Sequence, residues 1–139
     1  MAKSRTLGTN DRTFATEVRS NFDRDMASLR VTAAAQVGDV RRITIQVIDR
    51  VNREWAARFC VEVWLQATAT GDPSSTGNSV EWVAPTPYAT FLPDGHWRVM
   101  TDANGKAQFD VEISGAATRF VGWCMGSEVQ VSDSIKWSA

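Results

Sequence analysis

Thr101-Asp102-Ala103-Asn104-Gly105-Lys106-Ala107-Gln108-Phe109-Asp110-Val111-Glu112-Ile113 reads as a tight turn feeding a strand. Asn-Gly suits positive backbone dihedrals, because asparagine tolerates the left-handed region and glycine has no side chain to clash there. Beyond it, Ala107, Phe109, Val111 and Ile113 share one face, and Gln108, Asp110 and Glu112 the other. Such alternation marks a strand with one side buried and the other wet.

The same period recurs on both sides of this stretch. Ile43, Ile45 and Val47 face one way, with Arg42, Thr44 and Gln46 opposite; Asp49 to Arg53 supplies a turn, and Arg58 to Gln66 returns with Phe59, Val61, Val63 and Leu65 inward. These two strands are expected to form a hairpin. Val80 to Val83 is a short strand closed by Pro85 and Pro87, which cannot donate to a ladder and so suit a sheet edge. Thr90-Phe91-Leu92 and His96 to Thr101 flank a Pro93-Asp94-Gly95 turn, Arg119 to Met125 leads through Gly126-Ser127-Glu128 into Val129-Gln130-Val131, and Ile135 to Trp137 closes the series. The spacing predicts an all-β chain of about seven or eight short strands in two antiparallel sheets packed face to face. The polar stretch Thr68 to Ser79 is expected as a loop.

Residues 1–35 read as a separate N-terminal arm before a sandwich at 36–139. Thr9, Asn10 and Asp11 are helix-capping types, and Phe14, Val18, Phe22, Met26 and Leu29 then recur every three or four residues, drawing an apolar stripe on a helix. An isolated helix of that length is marginal in water, so the stripe needs a surface. It either packs on its own sandwich or docks on a second copy or another protein.

With 139 residues the chain is one domain with an appendage, and its net charge of −1 gives no attraction for nucleic acid or anionic lipid. No run approaches the ~20 apolar residues of a membrane span, and no signal-peptide segment follows Met1. Strand parity turns Cys60 away from the Phe59, Val61, Val63 face, which argues against an inter-sheet disulfide with Cys124. His96, the single histidine, is expected as an exposed turn residue. With no nucleophile motif, phosphate loop or Cys/His cluster, the sequence points to a protein that is not an enzyme and needs no cofactor or metal. Asp102 and Asn104 lack the closing acidic ligand of a calcium loop. Six tryptophans are more than a small core needs. Trp64 sits on the outward parity of its strand and, with Trp82, is a candidate surface contact, for a protein partner or for a sugar ring.

The run Ile43 to Asp49, a short turn, Trp55 to Val63, and then Thr101 to Ala107 resembles bacterial immunoglobulin-like domains of the invasin and intimin kind over residues 40–131. That resemblance implies an immunoglobulin-like sandwich and carries no catalytic residues. The whole plan, with its arm, Leu29 to Ala35 leading into the first strand, the Thr101-Asp102 turn and Ser114 to Val121, is similar to small virion proteins of tailed bacteriophages. The resemblance implies a structural protein of the virion, made in the host cytoplasm. It would decorate or cement the capsid, or stand on it as a head fibre, through Phe14, Val18, Phe22, Met26 and Leu29. Its partners would be the major capsid protein, other virion proteins or further copies, with weak glycan binding through Trp64 and Trp82 as an accessory. A tail or neck position, or a carbohydrate-binding module, are the rival readings.

Overall fold

A computed structural model describes residues 27–73, 79–92, 96–125 and 128–139. Phe14, Val18, Phe22 and Met26 lie outside them. The described chain is all-β: β1 (Ser28–Ala33), β2 (Val40–Ile48), β3 (Cys60–Gln66), β4 (Ser79–Val83), β5 (Tyr88–Phe91), β6 (Trp97–Met100), β7 (Lys106–Glu112), β8 (Ala117–Met125), β9 (Glu128–Val131) and β10 (Ile135–Trp137). Four strands form one antiparallel sheet in the order β1-β2-β7-β4. Six form the other, β10-β8-β3-β6-β5, with β9 also paired to β8.

Strand parity places the core. Ile43, Ile45, Val47, Ala107, Phe109, Val111 and Ile113 from the first sheet are buried, as are Val61, Val63, Leu65, Val99, Val121 and Trp123 from the second. Each large aliphatic or aromatic side chain taken fully from water contributes about 1.5–3 kcal/mol. Two layers facing each other therefore need no cross-link. Neither cysteine is in a disulfide, and both lie on the outer side of the six-stranded sheet.

The expected hairpin between β2 and β3 does not form. β2 pairs with β1 and β7, whereas β3 pairs with β6 and β8 in the other sheet. The turn at Asp49 starts a crossing between layers. Its Oδ1 accepts from Val51 N (3.0 Å) and Arg53 N (2.9 Å), and Oδ2 accepts from Arg53 Nε (2.9 Å). These bonds, the Arg53 amide first among them, hold the carboxyl below its ordinary pKa. Asn52 takes the positive φ of 68° that the turn requires.

The Thr101-Asp102 turn makes another crossing, from β6 to β7. Asp102 Oδ1 accepts from Asn104 N and Lys106 N, both at 2.9 Å, and Gly105 N donates to Asp102 O at 3.0 Å. Gly105, at φ 76°, is the positive-φ residue, and Asn104 is not. Glycine therefore closes an Asp-initiated turn, in place of the Asn-Gly pair that the sequence suggested. Buried Thr101 joins both segments: Phe59 N donates to its Oγ1 (2.9 Å), which donates to Ala57 O (3.2 Å), while Thr101 N donates to Phe59 O (2.9 Å).

The sheet begins earlier than the sequence suggested. Leu29 is not on a helical stripe: it sits in β1, 4% exposed, opposite Val47. Leu29, Val31 and Ala33 also satisfy the two-residue period, and pairing along the whole of β2's inner run outweighs helix spacing. Ser28 to Ala33 thus pass from the expected arm to the sandwich.

Candidate functional site

The two outer faces differ in chemistry. On the four-stranded sheet, polar residues lie opposite one another and pair across strands. Arg42 grips Asp110 with two bonds of 2.7 and 2.9 Å, and Gln108 Nε2 donates to Thr44 Oγ1 at 2.9 Å. The Arg42 guanidinium holds the Asp110 carboxyl below its usual range.

The outer face of the six-stranded sheet mixes apolar and sulfur-bearing side chains with charged and polar ones. Register places Tyr88, Met100 and Cys60 in one row across β5, β6 and β3. Cys124 faces Val129, and Gly122 faces Val131, across β8 and β9. Tyr88 is 51% exposed, Val129 61% and Val131 36%. In the middle, Glu62 accepts from His96 Nε2 at 3.0 Å and lies 3.7 Å from Arg98 Nη2, so the charges compensate locally. An open depression of about 330 Å³, lined by Cys60, Val61, Glu62, Arg98 and Cys124, marks the face's concavity. Exposed apolar side chains around a compensated charged centre are the chemistry of a contact surface.

His96 is not an exposed turn residue. Only 17% of its side chain is accessible, with the ring edge-on to Trp64 at 6.0 Å between centroids. Trp64 does lie on the outward parity, yet it is 9% exposed. Its indole rests on Gly122, where a Cβ would come within 2.2 Å of Nε1, and Nε1 donates to Gln66 Oε1 at 2.7 Å. Gln66 is in turn fixed to Thr68 O and Ala69 O. The ring is thus part of the wall and offers no open plane to a sugar. The glycine directly opposite Trp64 is the sequence signal for this, because a strand glycine often marks close approach of another group.

Trp82 is on the inner side. It faces Phe109 across β4 and β7, with ring centroids 4.5 Å apart, and meets Trp97 of the other sheet at 6.1 Å. The two tryptophans singled out from sequence therefore occupy opposite sides of the molecule's layers, and neither stands clear as a platform. Sequence reading missed Tyr88, Met100, Val129 and Val131, which lie on strands of four residues, too short to show a clear period.

No protein-family model and no curated protein matches the chain. Among solved structures it is similar to the GAE domain of GGA2p from Saccharomyces cerevisiae, with a TM-score of 0.35, 8% identity, and 83% of this chain and 89% of that one covered. The yeast GGA1 GAE domain gives a TM-score of 0.32 at 12% identity, covering 83% and 92%. A GH20 exo-β-N-acetylglucosaminidase from Vibrio harveyi gives 0.31 at 7% identity, covering 77% of this chain and 17% of that one.

Proposed function

We propose that the chain is a non-enzymatic structural protein of a tailed-phage virion, in which an immunoglobulin-like sandwich forms the body on the capsid surface. Residues 1–26 are its attachment element. The single observation that supports the attachment role is that, among the described residues, the two sheets bury each other's inner faces with residues 27–137. The stripe Phe14, Val18, Phe22 and Met26 precedes those residues in the chain, and its apolar chemistry suits a neighbouring virion protein. The exposed Tyr88, Val129 and Val131 on the outer face of the six-stranded sheet support the same reading, since a protein built to pack among neighbours benefits from such side chains. The Thr101-Asp102 and Asp49 turns use their carboxylates in local bonds that fix the points where the chain crosses between layers, in keeping with the resemblance to immunoglobulin-like modules.

Modest contacts suffice when many copies are presented on one shell, because tethered copies bind at high effective concentration. Deleting residues 1–26 is expected to leave a cooperatively folding sandwich that no longer co-purifies with particles. Normal incorporation of the truncated chain would overturn the assignment.

A further inference from the structure

We infer that the free edge of β5 is a twofold interface, on which β5 of a second copy of this chain adds as an antiparallel strand. The contact does not depend on the virion assignment. An edge strand is a template for further pairing unless something blunts it, commonly a charge. Among the described residues, β1, β4, β9 and β10 each pair on one side only and carry Arg30, Glu81, Glu128 and Lys136. β5 also pairs on one side only, with β6, and its sequence Tyr88-Ala89-Thr90-Phe91 carries no charge. Its two aromatic side chains stand open on opposite faces, Tyr88 at 51% and Phe91 at 52%. Phe91 has the inward parity of Ala89, yet the four-stranded sheet leaves it uncovered: Trp82 of β4 meets Trp97 of β6, one strand in from the edge.

The backbone fixes the register. Leu92 N donates to His96 O at 2.7 Å, which continues the β5–β6 ladder and makes those two residues a hydrogen-bonded pair. Bonded and non-bonded pairs alternate along an antiparallel ladder. Tyr88 and Thr90 therefore turn their N–H and C=O groups toward β6, whereas Ala89 and Phe91 turn theirs to the open edge. A twofold axis through the sheet beside Thr90 sets Ala89 opposite Phe91 of the second copy, and Phe91 opposite its Ala89. Every outward N–H and C=O of these residues is then met. Moving the axis to Ala89 would instead set Phe91 against Pro87, which has no N–H to offer its carbonyl. Side chains suit the same register, since each Phe91 ring lies beside a small Ala89, Thr90 meets Thr90, and Tyr88 meets Leu92. The two six-stranded sheets become one, and the contact is isologous and closes at two copies.

The test compares the full wild-type chain with Ala89→Pro, Thr90→Lys, Thr90→Cys and Tyr88→Cys. Sedimentation equilibrium across concentration is expected to show a wild-type dimer. Ala89→Pro removes an outward N–H that β6 does not use, and Thr90→Lys sets two like charges against each other at the axis. Each is expected to weaken dimerisation by about tenfold or more. Urea unfolding of the monomers checks that the sandwich is intact, and Thr90→Lys carries the comparison should the proline variant not fold. Thr90 faces itself in a non-bonded pair, where Cα atoms stand about 4.5 Å apart, within disulfide reach. Tyr88 is four residues out of line with its own counterpart, about 13 Å away. On oxidation Thr90→Cys should form a covalent dimer on non-reducing gels, while Tyr88→Cys and wild type, which share Cys60 and Cys124, should not. A wild type that stays monomeric, a dimer that both edge variants leave intact, or Tyr88→Cys cross-linking as readily as Thr90→Cys would overturn the inference. None of these readouts involves particles, so its failure is distinct from that of the virion assignment.

Discussion

Gly105→Ala is the sharpest perturbation of the fold. At φ 76° an L-residue is strained, and a Cβ there would stand 2.2 Å from the carbonyl oxygen of Trp55, where real Cβ contacts stay beyond 3.0 Å. The neighbour is backbone, so it can yield only by moving the crossing segment. That motion loosens Val47 N to Gly105 O (2.8 Å) and Trp55 N to Val47 O (2.9 Å). The left-handed conformation costs about 1–2 kcal/mol and each weakened bond about 0.5–1.5 kcal/mol, which together predict a loss of roughly 2–5 kcal/mol. Urea unfolding followed by tryptophan fluorescence would measure it, with Asn104→Ala as the comparison. Asn104 is exposed and contributes its backbone carbonyl, which alanine keeps, to Gln46. Its replacement should cost under about 0.5 kcal/mol. A Gly105→Ala loss below 1 kcal/mol, or equal losses at the two positions, would refute the claim that glycine anchors this turn.

Thr101→Val keeps the shape of a buried side chain but strands the Phe59 amide, and chemical denaturation should show a loss of about 1–3 kcal/mol. The Asp49 carboxyl is held below its ordinary pKa, so its contribution is present above the unfolded carboxylate pKa and is lost as pH falls through the folded value. Asp49→Asn should therefore be less stable than wild type at neutral pH, with the gap closing in acid; a gap independent of pH would contradict this. Gly122→Ala should push the Trp64 indole off its seat, seen as a red shift in emission, whereas an unchanged spectrum would mean that the ring does not depend on the glycine. The Arg42–Asp110 pair is exposed on one side, and a double-mutant cycle is expected to return only a small coupling that high salt removes.

Strict alternation made the inner rows legible from sequence. Ile43, Ile45 and Val47, and Ala107 through Ile113, are buried because parity alone fixes which side chains share a face. Which sheet each strand joins was not legible: the Asp49 turn looks locally like a hairpin loop, and only long-range pairing of β2 with β7 shows that the chain crosses layers. Leu29 fits helical and strand periods equally, and the partner strand decides between them. Trp64 was placed on the correct side, yet its burial depends on Gly122 and His96, which belong to other strands. The outer face of the six-stranded sheet is assembled from five strands that contribute one or two residues each, so no window of sequence contains it.

The proposed attachment role is tested most directly by a density map of purified virions that incorporate the chain. It predicts a two-sheet body outside the shell, with helical density from each leader continuing into contact with a neighbouring molecule. Particles without such a body, or bodies whose leaders touch no other chain, would contradict it.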